Sequence, residues 1–352
     1  EQYNYRRNNV FEVVRDECLA VRERVGILDL SGFAKYDITG PDAEVFLNRL
    51  CANRMPKKDG GIVLAHILSV NGRILGEVTI TKIADGHYYL LSAAGAELRD
   101  MDHLVQGCLA SEDVSISNIT DDRGVLVLAG PRARDVLSQL TDTDLHNESF
   151  RWLTSQQILV AGKPVRALRV NYVGELGWEL HPEMADLPHI YAAIWQAGEA
   201  HGIADFGLYA VNSLRIEKAY RGWGGELTNE VTMIDADMER FLKLDKDDFT
   251  GKAATLAQVD SERSLQLIYF EVDATDSDVR GNEPIFCDSE VVGLTTSGGY
   301  GHYTKKSLGF GYVPPALAIV GSKLQVGLLD EQHQITLIED PAHDPANARL
   351  RV

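Results

Sequence analysis

The chain carries one pattern twice, as YDITGPDA at residues 36–43 and as LVLAGPRA at residues 126–133. In both copies an apolar strand runs into Gly-Pro-x-Ala, and a helix with apolar periodicity follows. Proline just inside the start of a helix is in its expected place. Coincidence is the alternative, because Gly-Pro is a common turn, but the matching strands and helices favour a duplication. The repeat predicts two related α+β lobes.

Regular elements are predicted around the first copy. Apolar residues at helical spacing indicate a helix over residues 10–25. Strands over residues 62–70 and 73–82 are joined by the tight turn Asn71-Gly72, and a further strand covers residues 87–92. The region between the two copies is therefore predicted to be rich in β-structure.

The second half of the chain changes character towards its end. A hairpin is predicted from strands over residues 166–172 and 177–181, followed by helices. From residue 264 onward, short strands alternate with glycine turns, which is typical of a small β-barrel or sandwich. The boundary before this unit is expected near residues 247–252.

These patterns divide the chain into three parts. Residues 1–50 and 120–250 are expected to form a discontinuous first α+β lobe. Residues 51–119 are expected to form the second α+β lobe, and residues 251–352 the C-terminal β domain.

Composition disfavours several classes of partner. The net charge is −18, from 34 basic and 52 acidic residues, and such a surface repels nucleic acid and anionic lipid. No apolar run reaches about 18 residues, so no membrane span is predicted. The four cysteines form no CxxC and the ten histidines no HxxxH, so we expect reduced thiols and no metal site. The absence of a starting methionine suggests a mature form or a fragment of a longer protein.

Two carboxylates interrupt apolar strands. Glu77 lies in ILGEVTI at residues 74–80, where a carboxylate is costly unless it is exposed or held by donors. Glu179 lies in GELGWEL at residues 174–180, beside Trp178. A carboxylate next to an aromatic ring can bind a flat ring with adjacent N–H donors, such as a pterin or a guanine. For both glutamates a solvent-facing surface position is the alternative.

Two glycine-rich segments are candidate pocket walls. RGWGGE at residues 221–226 directly follows a predicted helix, so its Trp223 either lines a pocket or belongs to a plain helix end. TTSGGYG at residues 295–301 lacks the GxGxxG spacing and leads into strands, which excludes a dinucleotide loop. Its Tyr300 is a second, weaker candidate wall.

The sequence resembles the glycine-cleavage aminomethyltransferase (T-protein) family along nearly its whole length and in the right order. The details are closest to the folate-binding C-terminal half of dimethylglycine and sarcosine dehydrogenases. The resemblance implies an α+β fold of three domains, with two related α+β lobes and a C-terminal β-barrel or jelly-roll-like domain around a central folate channel. The resemblance is carried by residues 17–31, 71–75, 172–179, 213–218, 248–252 and 296–298.

The resemblance also implies roles for individual residues. In the family a tyrosine and a glutamate seven residues later hold the pterin, and these positions fall on Tyr172 and Glu179. An aspartate that activates the folate nitrogen falls on Glu77, whose side chain is one methylene longer. An arginine of the true aminomethyltransferases falls on Val211 here, which favours the dehydrogenase branch.

The implied activity is tetrahydrofolate-dependent one-carbon transfer. A methylene or formaldehyde unit from an N-methyl amine would give 5,10-methylenetetrahydrofolate, with Glu77 accepting the released proton. The sequence has no flavin fingerprint, so FAD is expected only in a partner subunit or in an N-terminal domain outside this sequence. A stand-alone folate-dependent demethylase or methyltransferase and a non-catalytic folate-binding regulatory protein are the alternatives. The expected location is the cytoplasm or, alternatively, the mitochondrial matrix.

Overall fold

The computed structural model describes residue 2 and residues 4–352, in which helices and strands alternate up to the C-terminal barrel. Within this part of the chain, every helix is too short or too polar to cross a membrane. The helices are α1 (Phe11–Glu23), α2 (Ala43–Leu50), α3 (Glu97–Gly107), α4 (Ala133–Leu137), α5 (Leu187–Gly198), α6 (Leu208–Glu217) and α7 (Lys252–Val259). The strands are β1 (Val25–Asp29), β2 (Ala34–Thr39), β3 (Ile62–Leu68), β4 (Ile74–Ala84), β5 (His87–Ser92), β6 (Ser115–Asn118), β7 (Leu126–Ala129), β8 (Ser155–Val160), β9 (Lys163–Leu168), β10 (Gly177–Pro182), β11 (Ile203–Asp205), β12 (Gln266–Val272), β13 (Pro284–Cys287), β14 (Glu290–Gly301), β15 (Lys306–Val313), β16 (Leu324–Leu328) and β17 (Glu331–Leu337).

The two Gly-Pro copies have the same backbone geometry. Gly40 and Gly130 both adopt a φ of 132°, which residues with a Cβ atom rarely reach. A Cβ atom on either glycine would lie within 2.6 Å of a backbone oxygen. The amide of Ala43 donates to the carbonyl of Gly40 at 3.1 Å, and that of Ala133 donates to Gly130 at 3.0 Å. The predicted duplication of this strand–turn–helix unit is therefore confirmed.

The first lobe is a sheet in the order β11-β1-β7-β10-β9-β8, antiparallel except for the β1–β11 pair. Trp178 and Leu180 on β10 are fully buried and pack with Ile190 and Ile194 of α5. Because successive side chains of a strand point to opposite faces, Glu179 lies on the face away from α5. That face is directed towards the interior of the molecule, where the second lobe packs.

The second lobe is a sheet in the order β3-β4-β5-β2-β6. Strand β2 pairs with β5, with Tyr36 opposite Leu90, and also with β6. Residues 34–50 therefore belong to the second sheet and its core, in which Tyr36 packs with Phe46 of α2. The expected first lobe of residues 1–50 was wrong in this respect, because the hydrogen-bond partners of β2 lie downstream in the chain and not in the neighbouring β1.

The C-terminal part is a closed barrel in the order β12-β15-β14-β13-β16-β17, and pairing of β12 with β17 closes it. The barrel interior is apolar and includes Phe270, Ile285, Val326 and Ile335. Of the two architectures that the sequence left open, the barrel is confirmed and the sandwich is excluded.

A buried ionic network joins the first lobe to the C-terminal tail. Arg22 on α1 donates to Glu217 on α6 at 2.9 Å and to Glu175 at 3.1 Å. Glu175 also accepts hydrogen bonds from His343 at 3.0 Å and from Arg349 at 3.3 Å. The side chains of Arg22, Glu175 and Glu217 are at most 1% exposed. The network holds the turn that leads into β10.

Candidate functional site

Glu77 on β4 lies directly opposite His66 on β3, and the two side chains are hydrogen bonded. The Nε2 atom of His66 is 3.2 Å from the Oε1 atom of Glu77, and a carboxylate oxygen accepts, so Nε2–H donates. The His66 side chain is fully buried, whereas that of Glu77 is 18% exposed. The hairpin therefore holds one oxygen of a carboxylate that solvent still reaches.

His66 has a second, unused ring nitrogen. Among the described residues, its buried Nδ1 atom has no hydrogen-bond partner. The ring lies 5.9 Å from the ring of Phe241, measured between centroids. Buried polar atoms usually have a partner, and Nδ1 shares this lack with other buried side-chain atoms of the described residues, such as Nε1 of Trp178.

Tyr172 precedes β10 and stacks on Tyr220. The ring centroids are 5.7 Å apart with an interplanar angle of 27°, and the Tyr172 hydroxyl donates to the Arg221 carbonyl at 2.6 Å. Tyr172 is 37% exposed, yet burial raises the pKa of its hydroxyl. Burial likewise raises the pKa of Tyr220 to about 12. Solvent therefore reaches Tyr172 although neighbouring protein atoms desolvate its hydroxyl.

Arg240, which follows α6 in the chain, resembles Tyr172 in its surroundings. It is exposed to solvent, yet burial lowers the pKa of its guanidinium, and the charge of Arg221 lowers it further. Its Cζ atom lies 4.5 Å from the centroid of the Phe241 ring. The Tyr220 hydroxyl and Arg240 influence each other's pKa, which places them within electrostatic reach.

Four side-chain contacts join six residues into two groups. Glu77, His66, Phe241 and Arg240 form one series, and Tyr220 stacked on Tyr172 forms the other. The charge of Glu77 contributes to the raised pKa of Tyr172, and Tyr220 and Arg240 affect each other's pKa, so the two groups lie within electrostatic reach of each other. We call this set the central ring, and it consists of Glu77, His66, Phe241, Arg240, Tyr220 and Tyr172.

Glu179 belongs to a separate hydrogen-bond chain that crosses from one lobe to the other. His181 is buried, and its Nε2 atom lies 3.4 Å from the Oε2 atom of Glu179. Its Nδ1 atom accepts from the Tyr89 hydroxyl at 2.9 Å. Burial lowers the pKa of His181, so the ring is neutral and its one proton lies on Nε2. The Glu179 side chain remains 17% exposed, and within the described residues no recorded contact joins it to the central ring.

The two candidate wall residues lie in different places. Trp223 packs against the central core, and the guanidinium carbon of Arg99 lies 4.5 Å from its ring centroid. It follows Gly222, where an added Cβ atom would lie 3.4 Å from the Tyr172 hydroxyl oxygen, so it sits at the edge of the central ring. Tyr300 lies elsewhere, because its ring packs on the N-terminal segment. The guanidinium carbon of Arg7 is 4.1 Å from the centroid of that ring.

Sequence reasoning missed four members of the central ring. His66 could have been found, because the two-residue turn predicted at Asn71-Gly72 would place residue 66 opposite residue 77. In the structure the loop is longer, since Leu68 lies opposite Ile74, and a register shift between Ile67 and Leu68 gives the same pairing. The remaining three carried no local signal, since tertiary packing alone brings them to the ring; they are Tyr220, Arg240 and Phe241. Within the described residues, no cluster of His, Cys, Asp and Glu side chains could hold a metal ion.

Two lobes with matching Gly-Pro turns and a closed C-terminal barrel define the class of fold. A family model described as the GCVT N-terminal domain matches residues 1–246. A second, described as the glycine cleavage T-protein C-terminal barrel domain, matches residues 266–344. The chain therefore belongs to the glycine-cleavage T-protein, or aminomethyltransferase, family, which is a family of transferases.

Similar proteins include two kinds of relative. Mitochondrial dimethylglycine dehydrogenase of Mus musculus is 41% identical over 353 residues, covering 99% of this chain and 40% of that protein. An aminomethyltransferase of Lysinibacillus sphaericus (strain C3-41) is 29% identical over 333 residues, covering 94% of this chain and 90% of that protein. The chain thus spans about two fifths of the length of the mammalian relative.

A solved structure confirms the fold. The glycine cleavage system aminomethyltransferase T from Bartonella henselae superposes with a TM-score of 0.85 at 23% identity, covering 94% of this chain and 90% of that one. The expected three-part α+β architecture is therefore confirmed, with a closed barrel as its last part.

Proposed function

We propose that this chain binds tetrahydrofolate in the central ring and captures a methylene or formaldehyde unit from an N-methyl amine resembling dimethylglycine or sarcosine. The product is 5,10-methylenetetrahydrofolate. A flavin domain or partner subunit, holding FAD, begins the reaction by oxidising the amine. The similarity to dimethylglycine dehydrogenase over 99% of the chain supports this branch of the family.

The observation that carries the proposal is the pairing of a solvent-accessible carboxylate with two stacked aromatic rings. Tyr172 and Tyr220 offer flat aromatic rings, which suit a planar heterocycle. Glu77 keeps a carboxylate open to solvent, and its charge reaches the Tyr172 hydroxyl. These groups fit a pterin ring that carries N–H donors.

Each residue then has a chemical task. Tetrahydrofolate supplies two amine N–H groups that capture the one-carbon unit. The first nitrogen adds to the C=N or C=O carbon, and the second then displaces the donor amine or, from formaldehyde, water. Glu77 accepts the proton that the attacking nitrogen loses and returns one to the leaving group. His66 keeps the Glu77 carboxylate in one orientation by donating to its Oε1 atom. Glu179, oriented by neutral His181, lies outside the central ring and accepts hydrogen bonds from the part of the pterin that extends beyond the ring towards β10.

Two variants test these tasks separately. Glu77→Gln keeps the shape and removes the proton acceptor, so the transfer rate falls by about 10²–10⁴-fold while the Kd for tetrahydrofolate stays unchanged. Glu179→Gln removes a charged acceptor and raises that Kd by about tenfold or more. Calorimetric titration gives the Kd, and rapid-quench measurement of 5,10-methylenetetrahydrofolate gives the rate.

A matched control is Glu271→Gln, because Glu271 lies on the barrel and pairs with Lys306. It leaves both quantities unchanged. Absence of tetrahydrofolate binding by the unaltered chain would refute the proposed function. A Glu77→Gln variant with an unchanged transfer rate would leave folate binding standing and remove the catalytic role of Glu77.

A further inference from the structure

Arg240 is a cation of the central ring with no anion of its own. It lies in the short 3-10 turn Glu239–Phe241, over the Phe241 ring. Its guanidinium makes no hydrogen bond or salt bridge to residue 2 or to any of residues 4–352. Only its backbone oxygen is engaged, by the Lys243 ammonium at 2.8 Å. Five N–H donors of the side chain are therefore free for a ligand.

The neighbouring arginine is in a different situation. Arg221 donates to Asp237 at 2.7 Å and to the Ala219 carbonyl at 3.2 Å. Asp237 is also the carboxylate whose charge acts on Arg240. Asp237 is hydrogen bonded to Arg221 and makes no hydrogen bond to Arg240. In a chain of net charge −18, a guanidinium without a carboxylate partner is a distinctive feature of the site.

Partial desolvation makes the unpaired charge of Arg240 energetically unfavourable. Burial lowers the pKa of Arg240, so the protein has removed part of the water that would solvate the charge. A desolvated charge is stabilised when an opposite charge with hydrogen-bond acceptors is brought to it. The guanidinium is also reached by solvent, so a ligand group can reach it by the same opening.

Position relates Arg240 to the proposed reaction centre. The contacts run in series from Arg240 to Phe241 at 4.5 Å, from Phe241 to His66 at 5.9 Å, and from His66 to Glu77 at 3.2 Å. One aromatic residue and one histidine therefore separate the cation from the carboxylate. A ligand that spans the central ring can therefore present an amine to Glu77 and a second polar group to Arg240.

We propose that Arg240 binds a carboxylate of the ligand held in the central ring, through a two-point guanidinium–carboxylate pair. This inference rests on the proposed function for the nature of that ligand. Two sources carry the same chemistry, the glutamate tail of tetrahydrofolate and the carboxylate of an N-methyl amino acid. The planar guanidinium can donate two parallel hydrogen bonds to either carboxylate, whereas the ammonium group of lysine cannot make this two-point pair.

The experiment compares ligands that differ by the carboxylate. The unaltered chain, Arg240→Gln and Arg240→Lys are titrated with tetrahydrofolate and with tetrahydropteroate, which lacks the glutamate. They are also titrated with dimethylglycine and with dimethylamine, which lacks the carboxylate. The control is Arg263→Gln, because Arg263 pairs with Glu239 of the same turn at 2.8 Å and lies outside the ring.

The expected result is selective for the carboxylate. Arg240→Gln raises the Kd of one carboxylate ligand by about 10–100-fold, Arg240→Lys recovers part of the loss, and the ligand lacking that carboxylate binds all variants equally. The ligand pair that responds identifies the source. The inference is overturned if neither pair responds, or if both members of a pair weaken equally. An unaltered chain that binds none of the four ligands overturns the proposed function and this inference together.

Discussion

Replacing Arg22 by methionine removes the cation that two buried carboxylates share. Arg22 donates to Glu217 through Nε and Nη2, at 3.2 and 2.9 Å, and to Glu175 at 3.1 Å. It also donates to the carbonyls of Val173 at 2.6 Å and Leu214 at 3.0 Å. Methionine has a comparable unbranched stem, so the change removes charge and donors while filling much of the volume.

The magnitude follows from the groups that remain. Breaking a buried ion pair by removing one partner costs about 3–5 kcal/mol, because the other charge stays buried. Glu217 keeps donors from the amides of Tyr303 at 3.0 Å and Thr304 at 2.8 Å, and Glu175 keeps His343. These limit the loss, whereas the two orphaned carbonyls add to it. We expect a loss of about 4 kcal/mol, or about a thousandfold in the folding equilibrium.

Urea unfolding at about pH 7.5 measures this loss. The control is Arg15→Met on the same helix, since Arg15 is 43% exposed and pairs with Glu12 and Asp16 at the surface. That variant leaves the free energy of unfolding nearly unchanged. The reasoning is refuted if Arg22→Met loses less than about 1 kcal/mol.

Two further predictions concern titration and reactivity. Burial lowers the pKa of Lys35 to about 8, while in an unfolded chain it is about 10.4. Between these pH values the unfolded chain binds more protons than the folded chain. The free energy of unfolding of the unaltered chain, relative to that of Lys35→Met, therefore rises from about pH 8 to about pH 10 in urea titrations. A difference in free energy that does not change with pH contradicts this. Burial raises the pKa of the Cys18 and Cys51 thiols to about 12. In the folded chain, alkylation at about pH 8 therefore modifies only the less buried thiols of Cys108 and Cys287, whereas in denaturant it modifies all four. Mass spectrometry of the modified peptides checks this, and rapid labelling of Cys51 would contradict it.

Local signals predicted much of the architecture. The Gly-Pro repeat marks two backbone turns with the same φ, because Gly40 and Gly130 each lie too close to a backbone oxygen for any side chain. The turn at Asn71-Gly72 likewise predicts the β3–β4 hairpin. Each of these features depends on residues close together in sequence.

Lobe membership could not be predicted in the same way. Strand β2 follows β1 directly, yet its partners are β5 and β6, so residues 34–50 belong to the second sheet. Strand pairing is decided by which apolar faces can be buried together, and this depends on segments far apart in the chain.

The glutamates show the same division at the candidate site. Glu175 and Glu179 lie four residues apart in one motif, and pattern alone does not separate their roles. In the fold, Glu175 is 1% exposed and accepts hydrogen bonds from Arg22 and His343. Glu179 remains 17% exposed beside His181. Only the second keeps a carboxylate oxygen within reach of a ligand.

The sequence by itself determined the turns, the hairpin, the acidic surface and the family, because each depends on local periodicity or on residue identity. The tertiary structure alone decided that Phe241, with Arg240 beside it, packs near His66 on β3, the strand next to the one that carries Glu77. It also decided which charges are buried and paired, and which remain open. Burial and charge pairing are sums over contacts between distant segments, so no short stretch of sequence contains them.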